Sequence, residues 1–83
     1  MNVQTNDVDA RGLMCPEPLH LAELAMREIA AGDMLRIVAT DPAAPLDLEA
    51  WCLRRQHEFM TCEAHGDSWV ICVRKGNHQE SSR

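Results

Sequence analysis

From Leu19 to Ala30 almost every residue is a good helix former, and this run, bracketed by Pro16 and Gly32, constrains the fold more than any other feature of the chain. Leu21, Leu24, Ala25 and Ile29 recur at spacings of three and four, which places them on one helical face that must be covered. Pro16 suits the first helical position, where its missing N–H would have been unpaired anyway, and Gly32 suits a left-handed C-cap. Cys15 is then the candidate N-cap, and Pro18 falls at the third position without sacrificing an intrahelical hydrogen bond.

A chain of 83 residues has room for one shallow core, so the remaining segments have to cover this helix face. Asp33 to Thr40 reads as a central strand, with Leu35, Ile37 and Ala39 on one side and Met34, Arg36 and Val38 on the other. Val8 and Ala10 alternate with Asp7 and Asp9 as a short edge strand does, behind a loose polar opening from Met1 to Asn6. Asp41-Pro42 ends the central strand, and a second helix is expected over 46–56, capped by Asp47 or Ala44, with Leu48, Trp51 and Cys52 on one face. Two strands, over 58–64 and 68–74, are joined through His65-Gly66-Asp67 as a hairpin. The predicted fold is α/β in the order β-α-β-α-β-β: a two-layer sandwich whose mixed four-stranded sheet carries both helices on one face. Residues 7–76 form the single expected domain, with flexible tails at 1–6 and 77–83.

Charge and composition narrow the function. Thirteen acidic against eight basic residues give a formal net charge of -5, and the basic residues form nothing longer than the pairs Arg54-Arg55 and Arg74-Lys75, so direct nucleic-acid binding is not expected. The N-terminus lacks the basic start and apolar run of an export signal, and no stretch of about 18 apolar residues occurs, which points to a cytoplasmic protein with no membrane association. Cys15, Cys52, Cys62 and Cys72 are accordingly expected as free thiols. With His20, His57, His65 and His78 they lack the paired short spacings of a zinc site, and no metal or cofactor is expected. Phosphate loops, paired catalytic carboxylates and nucleophile elbows are absent, leaving hydrolase, kinase and nucleotide-binding readings without support.

Cys15 is the residue with chemistry to offer. At a helix start it would meet unpaired amides and the positive end of the helix dipole, both of which favour thiolate, so its pKa is expected below the free value of about 8.5. Pro16 and Pro18 stiffen the site and aim the sulfur outward. Glu17 opposes thiolate formation if its side chain approaches the sulfur, and Arg11 is the nearest basic residue that would offset it. Cys52, Cys62 and Cys72 lie inside periodic segments, as packing residues do. Cys62 and Cys72 would stand side by side if the hairpin loop has an odd number of residues, and on opposite faces if it has two.

The segment Asp9-Ala10-Arg11-Gly12-Leu13-Met14-Cys15-Pro16-Glu17-Pro18 resembles the diagnostic element of the TusA/SirA family of small bacterial sulfur-carrier proteins, a Cys-Pro-any-Pro run preceded by aspartate and glycine. Gly32-Asp33, Asp41-Pro42, Asp47 leading into Trp51-Cys52, His57-Glu58 and Arg74-Lys75-Gly76 follow in the family's order. The resemblance implies that Cys15 takes a sulfane sulfur from a cysteine desulfurase or rhodanese-like donor and hands it to a cysteine-containing relay protein, for transfer-RNA thiolation, molybdenum cofactor maturation or sulfur oxidation. It also implies a structural role for Cys52. Gly12, Arg11, Pro16, Glu17 and Pro18 are the supporting residues, and Arg54, Arg55, Arg74 and Lys75 are candidates for partner docking. Such a protein is a carrier, unchanged overall, more than an enzyme. The competing readings are a thiol-redox protein resolved through Cys52 and a regulatory protein-binding module.

Overall fold

The computed structural model describes residues 3–76, so the tail expected at 77–83 and the first two residues lie outside the described residues. Its elements follow the expected order: β1 (Thr5–Ala10), α1 (Glu17–Arg27), β2 (Met34–Ala39), α2 (Ala44–Arg55), β3 (Glu58–His65) and β4 (Ser68–Arg74). The four strands form one mixed sheet in the order β1-β2-β4-β3. Strand β1 runs parallel to β2, β4 is antiparallel to both its neighbours, and the two helices cover one face.

The strand alternation expected of β2 is the alternation observed. Leu35, Ile37 and Ala39 are buried against the helices, while Met34, Arg36 and Val38 point to the uncovered face. Cross-strand pairing carries this division through the sheet, because Leu35 sits opposite Val73 and Ile37 opposite Ile71, all of them fully buried. On α2, Leu48, Trp51 and Cys52 share the buried face as the spacing predicts, joined by Ala44.

Strand β1 begins at Thr5, so Thr5 and Asn6 are strand residues rather than part of a loose tail. The cause is backbone pairing, which does not depend on apolar side chains: Thr5 aligns with Met34, and the Asn6 side-chain amide donates to the Met34 carbonyl at 3.4 Å. Helix α1 presents Pro18, Ala22 and Met26 to the core, with Leu19, Leu21, Ala25 and Ile29 partly buried around them, whereas Leu24 is 55% exposed. The helix thus packs on the face that carries Pro18, Ala22 and Met26 at successive turns, with Leu24 on its outer side. It ends at Arg27 with Glu28 as C-cap, earlier than Ala30, and Gly32 instead serves the turn into β2, where φ is +91° and its N–H donates to the Lys75 carbonyl at 3.0 Å. Helix α2 starts at Ala44, with Ala43 as N-cap and Asp47 inside the first turn, so neither Asp47 nor Ala44 caps it.

The hairpin between β3 and β4 pairs His65 with Ser68 and leaves two residues in its loop. Cys62 therefore aligns with Ile71 on the helix-covered face and Cys72 with Thr61 on the other, which excludes a disulfide between them. A bulge between Phe59 and Thr61 takes up Met60, so Phe59 still faces the core opposite Val73.

Candidate functional site

Parallel pairing of β1 and β2 brings the loop after each strand to the same sheet end, and both helices begin there. The β1–α1 loop is held against the β2–α2 loop by hydrogen bonds that skip more than 25 residues of sequence. Gly12, at φ +81°, donates its N–H to Thr40 Oγ1 at 2.9 Å, and the Cys15 N–H donates to Asp41 Oδ2. Asp41 is the one polar side chain among the described residues counted with the buried core. Its other oxygen accepts from the Ala43 N–H at 3.0 Å, and its carbonyl accepts from Ala44, so this residue both orders the approach to α2 and fixes the backbone of Cys15.

Cys15 is exposed, whereas Cys52 is 1% exposed and Cys62 and Cys72 are half-buried. The Cys15 Sγ–H donates to Asp47 Oδ2 at 2.9 Å, linking the loop before α1 to the first turn of α2. That hydrogen bond stabilises the protonated thiol, and together with local desolvation and the negative charges of Asp47 and Asp41 it raises the Cys15 pKa. The lowered pKa expected from a helix start is thus reversed, for two reasons. Cys15 is not the N-cap: Pro16 holds that position at φ -100° and ψ 19°, Glu17 opens the helix and Pro18 is its second residue. Moreover, Pro16 and Pro18 have no N–H, and the Glu17 N–H is taken by the Met14 carbonyl at 2.8 Å, so the turn has few amides with which to stabilise a thiolate.

Other predicted residues divide sharply. Pro16 and Glu17 are exposed beside Cys15, while Pro18 is buried under the helix. Arg11 is committed elsewhere: its guanidinium makes two 2.9 Å bonds to Asp9 and holds that carboxyl down at about 2, so it does not offset the carboxylates at the sulfur. Arg74 is paired with Glu58 at 2.8 Å, and Lys75 Nζ donates to the Ile29 carbonyl at 2.7 Å. Arg54 and Arg55 are exposed and make no ion pair among the described residues. Together with Arg27, Trp51, His57 and Lys75 they line a groove of about 670 Å³ at the C-terminal ends of the helices, the opposite end of the helical layer from Cys15. Burial pushes the Cys52 thiol up to about 11, which removes it as a ready resolving thiol.

The role of Asp47 is not the cap that its position suggests but a contact with the sulfur, which local pattern does not reveal. The Asp47 that leads into Trp51-Cys52 was the available signal, but its contact with Cys15 spans 32 residues and appears only once the two loops meet.

The family model described as Sulfurtransferase TusA matches residues 6–75, from the second residue of β1 to just past β4. The chain belongs to the TusA/SirA family. Among its relatives, the putative sulfur carrier protein YrkF of Bacillus subtilis strain 168 is 39% identical over 74 residues, covering 89% of this chain, which spans only 40% of that longer protein. The sulfur carrier protein TusA of Pseudomonas entomophila strain L48 is 35% identical over 68 residues, 82% of this chain and 85% of the relative. TusA of Pseudomonas syringae pv. syringae strain B728a is 33% identical over 69 residues, covering 83% and 82%. Membership of this family makes sulfur carriage the general function.

Proposed function

We propose that Cys15 accepts a sulfane sulfur as a persulfide from a cysteine desulfurase or rhodanese-like donor and passes it to a cysteine of a relay protein. The observation that carries this reading is exposure: of the four cysteines Cys15 is the exposed one, against two half-buried and one buried, and it stands in a segment fixed by two prolines and by the Asp41 bond to its backbone. In loading, the Cys15 thiolate attacks the outer sulfur of the donor persulfide, a new Sγ–S bond forms, and the donor S–S bond breaks with its electron pair leaving on the donor thiolate. Unloading repeats the exchange at the acceptor and returns Cys15 unchanged, so the protein is a carrier rather than a catalyst in its own right.

The downstream use lies among transfer-RNA thiolation, molybdenum cofactor maturation and sulfur oxidation, in a cytoplasmic setting, with residues 7–76 as the carrying domain. No helix among the described residues is long and apolar enough to cross a membrane. Arg54 and Arg55 are the basic residues left for partner docking, since Arg74 and Lys75 already have partners within the fold. A redox cycle through Cys52 is disfavoured by that residue's burial in the core.

Incubation of the reduced protein with a cysteine desulfurase and cysteine should add the mass of one sulfur, removable by thiol reductant and located on the peptide containing Cys15. The Cys15→Ala variant should gain nothing. Equal loading of that variant would remove Cys15 from the reading.

A further inference from the structure

The Cys15 site contains a feature that the carrier reading does not explain: the sulfur is held by a carboxylate. Asp47 Oδ2 lies 2.9 Å from Sγ, and Asp41 is bonded to the Cys15 backbone N–H, so two anions approach the atom that must ionise to accept sulfur. Among the described residues no cationic side chain pairs with either carboxylate. Arg11 is paired with Asp9, while Glu17 and His20, the titratable residues at the start of α1, are both exposed and neither bonds the sulfur. The hydrogen bond and the two charges all favour the protonated thiol.

Resting on the carrier reading of Cys15, we propose that Asp47 guards the thiol: it keeps Cys15 protonated in the unpartnered protein and releases it only to a protein partner that brings a cationic side chain beside its own sulfur. On docking, a partner Lys or Arg pairs with the Asp47 carboxylate, the Sγ–H proton passes to solvent, and the thiolate then takes the outer sulfur while the donor's S–S electron pair stays on the donor sulfur. No net oxidation or reduction occurs. Met14 and Leu46, which directly precede the two members of the pair, are each 72% exposed and give this surface an apolar rim. The fitting partner therefore presents its cysteine on an apolar surface next to a basic residue, the complement of the Asp47 carboxylate in an apolar frame. Selection follows from the same contact, because an anionic thiol partner leaves the guard in place and adds repulsion.

The test uses the full reduced chain and needs no sulfur transfer. Alkylation of Cys15 by iodoacetamide is followed against pH for wild type, Asp47→Asn and Asp47→Glu. The Asn variant should react several-fold faster at neutral pH with its profile moved to lower pH, and the Glu variant should stay near wild type. Thiol–disulfide exchange is then compared between cationic cystamine and anionic dithiodiglycolate at low salt. The cationic preference of the wild type should shrink several-fold in Asp47→Asn, and in wild type it should weaken as salt is added. Superimposable alkylation profiles, or a cationic preference unchanged by Asp47→Asn, would overturn the guard. Because neither readout depends on persulfide loading, failure here is distinguishable from failure of the carrier reading.

Discussion

Replacing Trp51 with alanine is expected to destabilise the protein by about 3–5 kcal/mol, the range for removing a buried large aromatic side chain. Trp51 is 1% exposed and is the largest of the fully buried side chains, packed from α2 into the same cluster as Leu48, Ile71 and Val73, with the His57 ring 5.1 Å from its own. Collapse of α2 into that space is opposed by its tethers, the Asp41 loop at its start and, at its end, a left-handed Gln56 cap followed by the bond from the His57 N–H to the Cys52 carbonyl. Domains of this size have about 5–15 kcal/mol in total, so the variant should be partly unfolded at modest urea concentrations. Urea titration followed by circular dichroism should show the midpoint falling with little change in slope. A loss below about 1 kcal/mol would mean that the core does not depend on α2 as described.

Asp41→Ala should have the second largest effect. Its carboxylate serves the backbone N–H groups of Cys15 and Ala43, and a hydrogen bond to a charged group contributes about 1.5–3 kcal/mol, with partial replacement by water at the more exposed amide. A net loss of about 2–3 kcal/mol is expected, which at about 4–8 °C per kcal/mol for a small domain lowers the melting temperature visibly in calorimetry. Asp41→Asn retains one acceptor oxygen and should recover part of the loss. The effect also reaches the site, because Cys15 loses the contact that fixes its backbone, and persulfide loading should slow in the folded fraction. A melting temperature unchanged by Asp41→Ala would show that the two loops are held together by something else.

The parts of this structure legible in the sequence are those governed by local pattern. The alternation in Met34–Ala39 gives both faces of β2 correctly, and Leu48, Trp51 and Cys52 give the buried face of α2. Misreadings occur where tertiary contact outweighs pattern. Leu24 has the right spacing for a core residue, yet the buried face is centred on Pro18, Ala22 and Met26, and Leu24, two residues from both Ala22 and Met26, falls on the far side of the helix. Thr5 and Asn6 have polar side chains but are strand residues, because the backbone ladder to β2 extends that far.

The functional site divides in the same way. Cys15 and its two prolines are contiguous and could be read directly from the chain. Its electrostatics could not, because they are set by Asp41 and Asp47, 26 and 32 residues away, and by the loss of free amides at a proline-bearing helix start. Asp47 and Asp41, with the donors missing at Pro16 and Pro18, set the thiol's pKa in the direction opposite to that of a bare helix start. The correction changes the chemistry expected of the resting protein, from a thiol already primed to one that needs its partner.

The most direct test is to follow a single sulfur through the protein. The chain is loaded by a desulfurase with labelled cysteine, separated from the donor, and mixed with an excess of a cysteine-containing acceptor protein of the TusA relay. The expected result is one label per protein on Cys15 after loading and its movement to the acceptor cysteine, with the carrier recovered at its original mass. Label on Cys52, Cys62 or Cys72, or label that stays on Cys15 with every acceptor tried, would contradict it.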